Sequence, residues 1–432
     1  MARLRSTNLY SLAATSGDIT TSATAPSAPL VGHRWYKPET GVTYQYTNDG
    51  ATSFWLDITS GGIGTSLYKS IDFIGDTDPH PRSNIAGAVA GSIYYNREGH
   101  RYFELTDATN NANVWQGAHK VVGGEVTTYE ASNVTYRIHT FWSNGRLYID
   151  SAVAADVLLV AGGGGGGGEF GGGGGAGGIL YAAGRTIPAG DYDIKVGGGG
   201  RKGLHSGQGN YQALMGESTI AFGVTIYGGG PGMSRSTSWS NYTRTNMANG
   251  GGAGHGSVSG ESGTATSSSG FVGSGGTFTT SGGFSGGGDK TSGSNYPAGG
   301  GAGASANGVT PAGSQSAAGN GGAGIQVGAG IYDNVNNYYW GGGGGGGCHD
   351  GNVSAGHGGA GGGGGGSKYS NGNSGPGNDQ GISPGGDGGV ANAKPGGDGG
   401  AGTGGGGGGS THQYGIGGNG GSGIVIVKYA IN

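Results

Sequence analysis

The sequence predicts an all-β and irregular chain: short β-meander fibre units first, then a polyglycine II helix bundle framed by β-strands. Three observations predict it. Apolar residues rarely recur at the spacing of a helix face, and glycine disfavours a helical position by about 1 kcal/mol relative to alanine. Glycine is unevenly spread, with 15 in residues 1–150 and 100 of the total 115 in residues 151–432. Apolar runs, Val157–Ala161 and Ile424–Tyr429, bracket the glycine-rich part as strands would.

Composition narrows the function. A net charge of −4 and a pI near 6.2 supply no basic face for nucleic acid. The single cysteine, Cys348, excludes an internal disulfide framework. No apolar run reaches the ~18 residues of a membrane helix, and no apolar stretch follows the arginines of Met1–Thr7, so neither a membrane span nor a secretory signal is expected.

Taken in order, residues 1–24 are rich in Ser, Thr and Ala and read as a flexible or docking leader. Residues 25–60 read as a β unit. Arg34–Tyr36 is a strand, Pro38-Glu39-Thr40-Gly41 a turn, Val42–Thr47 a strand of period two, Asn48-Asp49-Gly50 a turn and Phe54–Ile58 a strand. Residues 61–133 hold a linker near Ser60–Pro81 and a second unit, since Gly32, Tyr36 and Trp55 are echoed by Gly91, Tyr95 and Trp115. Three strands alone are marginal, which favours burial of each unit against other copies in an oligomer.

Residues 134–432 form the last domain. Thr135–Phe141 and Arg146–Ile149 flank Ser143-Asn144-Gly145, a hairpin signal, and Asp193–Val196 and Thr219–Tyr227 read as further strands. Between the bracketing strands lie glycine blocks such as Gly162–Gly168, Gly171–Gly178, Gly341–Gly347 and Gly404–Gly409. Composition alone would make them linkers. Short blocks, interspersed aromatics including Phe170 and the terminal strands argue instead for order. Side-by-side extended glycine helices, rising about 3.1 Å per residue, would satisfy every backbone group on a neighbour. Collagen is excluded, because no strict Gly-X-Y period runs through the chain.

Pro26–Tyr36, Thr40–Tyr46 and Trp55–Ile58 resemble a β unit of phage tail-fibre proteins. Tyr136–Phe141, Asp156–Gly162 and Gly421–Tyr429 resemble the glycine-rich domain of phage tail proteins. The resemblance implies a virion component of the tail fibre or tail tip. Variable loops at the distal end of a polyglycine II sandwich would bind an outer-membrane protein or glycan of the host. It further implies attachment to other tail or fibre proteins through the N-terminal region, and it allows a homotrimer.

Carried onto this chain, the loops are the long inserts between blocks. They hold Arg235, Trp239, Tyr242 and Arg244, then Tyr296, then Tyr332, Tyr338, Tyr339 and Trp340, then Tyr369, and last His412 and Tyr414. Tyr, Trp, Ser, Asn and Gly are the residues of rigid recognition loops, although some rings would instead pack on the bundle. The competing reading is a structural fibre or decoration protein whose inserts bind nothing. An ice-binding face would need regular Thr or Ala spacing, which is absent. No catalytic, metal or cofactor site is expected. Cys348-His349-Asp350 with His357 fits no zinc spacing, chance G-x-G-x-x-G matches lack a following G-K-[ST], and carboxylates are too sparse for a glycosidase pair.

Overall fold

The alternating Trp, Tyr and Thr residues near the start of the chain do form strands. The computed structural model describes residues 19–27, 34–38, 42–48, 53–57, 71–75, 79, 84–90, 92–96, 101–110, 113–116, 121–149, 151–205, 212–235, 246–256, 259–289, 295–313, 316–349, 353–369, 373–390, 394–412 and 414–431. The chain divides into two units, Met1–His119 and Lys120–Asn432. The class is all-β, with no α-helix among the described residues.

The first unit contains two four-stranded sheets of one topology. β1 (Ile19–Thr21), β2 (Arg34–Lys37), β3 (Val42–Asn48) and β4 (Ser53–Asp57) lie in that order. So do β5 (Ile71–Gly75), β6 (Ile93–Asn96), β7 (Arg101–Asp107) and β8 (Val114–Gln116). In each sheet the first pair is parallel and the next two are antiparallel. The pairing Arg34↔Gln45 recurs as Ile93↔Glu104, at the offset of 59 that relates Tyr36 to Tyr95. Trp35 stacks on Tyr44 at 4.9 Å, and Tyr94 meets Phe103 and Trp115 edge-on at 6.4 and 5.7 Å. The sequence reading counted three strands per unit. β1 and β5 are additions, within stretches read as leader and linker: Ile19-Thr20-Thr21 is too short for a local pattern to mark, and the brief apolar run Ile71, Phe73 and Ile74 is fixed as a strand by its pairing with β6.

The second unit opens with β9 (Val121–Val122), β10 (Glu125–Ala131), β11 (Val134–Phe141), β12 (Gly145–Ile149) and β13 (Val153–Val160). β14 (Ile179–Ile187), β15 (Gly190–Ile194), β16 (Thr219–Ala221), β17 (Val224–Ile226) and β18 (Thr277–Ser281) follow. β19 (Ile325–Gln326), β20 (Tyr339–Trp340) and β21 (Ile424–Ile431) complete it. An antiparallel sheet runs β10-β11-β21-β13-β14-β18, so the last strand enters its middle, and β15-β12-β9 form a smaller sheet.

Both faces of the large sheet are covered. Val157, Leu159, Val425 and Val427 pack with Leu147, Ile149 and Ile194 of the small sheet. Leu158, Val160, Ile424 and Ile426 pack on the other face with Ile138, Ile331 and Trp340. This two-sided burial, worth roughly 1.5–3 kcal/mol per large apolar side chain, is why Val157–Val160 of β13 and Ile424–Val427 of β21 read as apolar runs, while the charged residues of the two strands, Asp156 and Lys428, pair with each other at 3.1 Å.

Three local expectations are corrected. Ser143-Asn144-Gly145 turns a corner between sheets, because β11 pairs with β10 and β21 while β12 pairs with β15 and β9. The tight hairpin lies upstream, at Ser132 and Asn133 with φ of 52° and 61°. Thr219–Tyr227 is the hairpin β16–β17 about Phe222-Gly223, and the strand expected at Asp193–Val196 ends at Ile194.

The glycine segments run out from the sheets and back. Residues 162–168 leave β13, turn at Glu169-Phe170, and return through 171–178 into β14. Their lateral hydrogen bonds repeat every third residue. Ala161, Gly164 and Gly167 donate to Gly178, Gly175 and Gly172; Gly163 and Gly166 to Gly421 and Gly418; Gly162 and Gly165 to Glu217 and Leu214. The carbonyls of Gly162, Gly163 and Gly164 accept from Gly229, Gly200 and Gly407, and those of Gly165, Gly166 and Gly167 from Gly232, Gly203 and Ser410. Segment 162–168 is thus bonded to six neighbouring segments. The same holds for 171–178, 298–304, 341–347, 363–368 and 404–410.

Close approach makes glycine obligatory there: a Cβ on Gly164 would stand 2.0 Å from Gly230 O. At the perimeter the lattice lacks neighbours, and side chains supply the missing acceptors. Asp387 accepts from Gly377 N at 2.8 Å, Asp398 from Asn419 N at 2.6 Å, and Asn320 from His357 N at 2.9 Å.

Candidate functional site

A glycine segment ends where a residue with a side chain must reverse it. The outward segments 162–168, 249–254, 283–289, 341–348, 363–368 and 404–410 lead to the end remote from β13, β14 and β21. There Phe170, His255, Tyr296, His349, Tyr369, His412 and Tyr414 come together, each just beyond or just before such a segment.

Phe170, buried, is the base of the cluster. It meets Tyr296 at 5.1 Å, His349 at 5.4 Å, His412 at 6.0 Å and His255 at 6.3 Å between ring centroids. The Arg235 guanidinium lies 5.3 Å from its centroid. Tyr369 lies near-parallel to His349 and to His412, both at 4.6 Å, and Tyr414 continues the row 5.6 Å from His412. His205 joins Tyr414 edge-on at 5.9 Å. Backbone bonds fix these positions: Arg235 N donates to Glu169 O, His255 N to Phe170 O and His349 N to Asn295 O.

Strain marks the same place. Glu169, Phe170 and Tyr296 have φ of 46°, 55° and 45°, a region costly for residues with a side chain. Asp289 is buried beside them, accepting from Gly256 N at 2.7 Å, with His255 Nδ1 3.8 Å away. Arg235 and Tyr414 are exposed, whereas Tyr296, His349, Tyr369 and His412 are half-buried. The end therefore offers one guanidinium, imidazoles and phenols on a rigid aromatic base. Among the described residues, no group of three His, Cys, Asp or Glu could hold a metal.

Of the twelve residues proposed from sequence, Arg235, Tyr296, Tyr369, His412 and Tyr414 meet in this cluster. Trp239, Tyr242 and Arg244 lie outside the described residues. Tyr332, Tyr338, Tyr339 and Trp340 are at the opposite, sheet-side end, which corrects their assignment to one common set of loops. Their insert is closed by the pairing Ile325↔Trp340, and its apolar side chains cover the large sheet. Trp340 is 0% exposed and unreachable by a partner. Tyr332 meets Trp142 edge-on at 6.2 Å, and Tyr338 donates to Asp333 at 2.7 Å; burial raises both phenol pKa values.

Sequence reasoning missed Phe170, His255 and His349 as partners in one site. The available signal was a lone ring within two residues of the end of a glycine block, as in Gly254-His255, Gly168-Glu169-Phe170 or Gly347-Cys348-His349. No protein-family model matches the chain, and no curated protein matches it.

Proposed function

We propose that the glycine segments are polyglycine II helices, and that the chain is a phage tail-fibre or tail-tip protein attaching the virion to the host cell surface. In this reading the bundle is a rigid scaffold, and the ring cluster at its outer end touches an outer-membrane protein or glycan. Hydrogen bonds to six neighbours with period three are what a three-residue-per-turn extended helix requires. The observation that carries the reading is the gathering of Arg235, Tyr296, Tyr369, His412 and Tyr414 at one end, over backbone held in a costly conformation. Rigid rings lose little entropy on binding, and Tyr and Arg are enriched among energetically dominant interface residues.

The competing reading, a structural virion protein, takes the cluster as an end cap, which the burial of Phe170 and His255 favours. No catalytic role is proposed, and the first unit is assigned to attachment within the virion. Among the described residues, no helix is long and apolar enough to cross a membrane. The test is binding of the purified chain to a panel of bacterial strains, with Arg235→Ala and Tyr414→Ala combined. A fall of at least tenfold at unchanged melting temperature supports the adhesin. Undiminished binding, or no strain bound by the parent chain, leaves the structural reading.

A further inference from the structure

A furrow on the flank of the glycine unit is built differently from the ring cluster. Segments 353–359 and 373–378 run side by side, with Ala355 N donating to Asn373 O and Gly358 N to Pro376 O. The three-residue repeat aligns side chains into ridges: Ser354 and His357 on one segment, Asn373 and Pro376 on the next. Only the small residues Ala355 and Gly356, and Ser374 and Gly375, lie between them along each segment. The result is a cleft of about 460 Å³ lined by Ser354, His357, Asn373, Ser374, Pro376 and Val390.

The chemistry of its walls selects the occupant. A peptide lying in a furrow usually pairs with backbone, but the backbone here is already used. The carbonyls of Ser354, His357, Asn373 and Pro376 accept from Ala318, Gly321, Ala355 and Gly358, and the amides of Gly356 and Gly375 donate to Gly346 and Gly366. Recognition therefore falls to side chains: two hydroxyls, an amide and an imidazole, with Pro376 and Val390 as an apolar strip. Alternating hydroxyl and C–H surface is what a sugar ring presents, and the side-chain groups match it as donors and acceptors. Three residues of such a segment span roughly 9 Å, about the length of two sugar rings.

We propose that this cleft binds a short stretch of a linear saccharide, two to three rings long, along the axis of the glycine segments. Ser354, His357, Asn373 and Ser374 address the hydroxyls, and Val390 and Pro376 support the ring C–H face. The inference stands apart from the ring cluster, so the two fail separately.

The experiment is binding of the purified full chain to an array of bacterial surface oligosaccharides, followed by titration with the saccharide retained. Asn373→Ala with His357→Ala, both exposed positions, should weaken binding at least tenfold, and Ser354→Trp should abolish it by filling the cleft. Val335→Ala, at an exposed position of the sheet-side insert, is the control that should leave it unchanged. Each variant is checked for an unaltered melting temperature. Retention of no saccharide by the parent chain, undiminished binding in the cleft variants, or loss confined to the Arg235/Tyr414 variant would overturn the proposal. So would self-association of the chain that the cleft variants abolish, since a second copy would then be the occupant.

Discussion

The six-stranded sheet and the glycine segments occupy one unit and are held together by opposite means. In the sheet, Val157, Leu158, Leu159 and Val160 are all 0% exposed, and side chains fill the space between layers. In segments 162–168 and 171–178 there is hardly any side chain to bury, and the layers are joined by backbone N–H and C=O groups alone. Strands hydrogen-bond in two directions, within a sheet, and need apolar side chains for the third. The glycine segments, whose hydrogen bonds repeat every third residue, bond all round, so a core can be built with no apolar side chain, provided every backbone group is met. A single hydrogen bond contributes only about 1 kcal/mol net, so order here depends on many bonds acting together.

This contrast can be broken most severely from the glycine side. Gly164→Val should abolish folding of the second unit or destabilise it by more than about 4 kcal/mol, because nothing around Gly230 O can yield. Gly198→Ala is the matched control. Its Cβ would meet only the Glu217 carboxylate, at 3.6 Å, and a change within roughly 1 kcal/mol is expected. Denaturant unfolding of both variants measures the difference, and equal effects would break the comparison.

The sheet should answer as an ordinary apolar core. Leu158→Ala is expected to cost about 2–5 kcal/mol by the same measurement. Much of this region was legible in the sequence, since Val157–Ala161 and Ile424–Val427 are apolar on both faces as a doubly covered strand requires. β10 was not legible, because Glu125-Val126-Thr127-Thr128-Tyr129-Glu130 is a largely exposed edge with little apolar alternation.

In the glycine region, run length was only part of the signal: the long runs 162–168 and 341–347 have neighbours on all sides, and so has the short segment 298–304, which Ala302 interrupts. A local period of three was also present. Pro384, Asp387 and Val390, and likewise Pro395, Asp398 and Ala401, are exposed positions separated by glycine pairs on perimeter segments. Which end of a segment an insert occupies was not legible, because outward and inward segments share one composition. That is why Tyr338 and Trp340 were grouped with Tyr369 and His412.

Acid should discriminate the two regions next. Burial pushes the His139 pKa down to about 4, and its Nδ1 lies 2.6 Å from Gly123 O. The unfolded chain binds a proton near pH 6.5 that the folded sheet refuses. Stability is therefore full above about pH 6.5 and falls by roughly 3 kcal/mol as pH drops towards 4. Unfolding midpoints across this window should lose that slope in His139→Gln; a slope kept by the variant would assign it elsewhere.

The smallest expected effect lies at the joint between the regions. Thr219 Oγ1 donates to Val160 O at 2.8 Å and accepts from Gly197 N at 2.9 Å. Thr219→Val leaves both groups buried without it and should cost about 1–3 kcal/mol. No change in the unfolding midpoint would mean that water replaces the hydroxyl.

The central claim, that glycine backbone alone forms a cooperative core, is tested most directly by amide hydrogen exchange on a glycine-labelled chain. Amides of Gly163–Gly167 and Gly342–Gly346 should exchange as slowly as those of β21, and Gly164→Val should release them together with the sheet. Exchange of those glycines at the rate of an open chain, with β21 still protected, would contradict it.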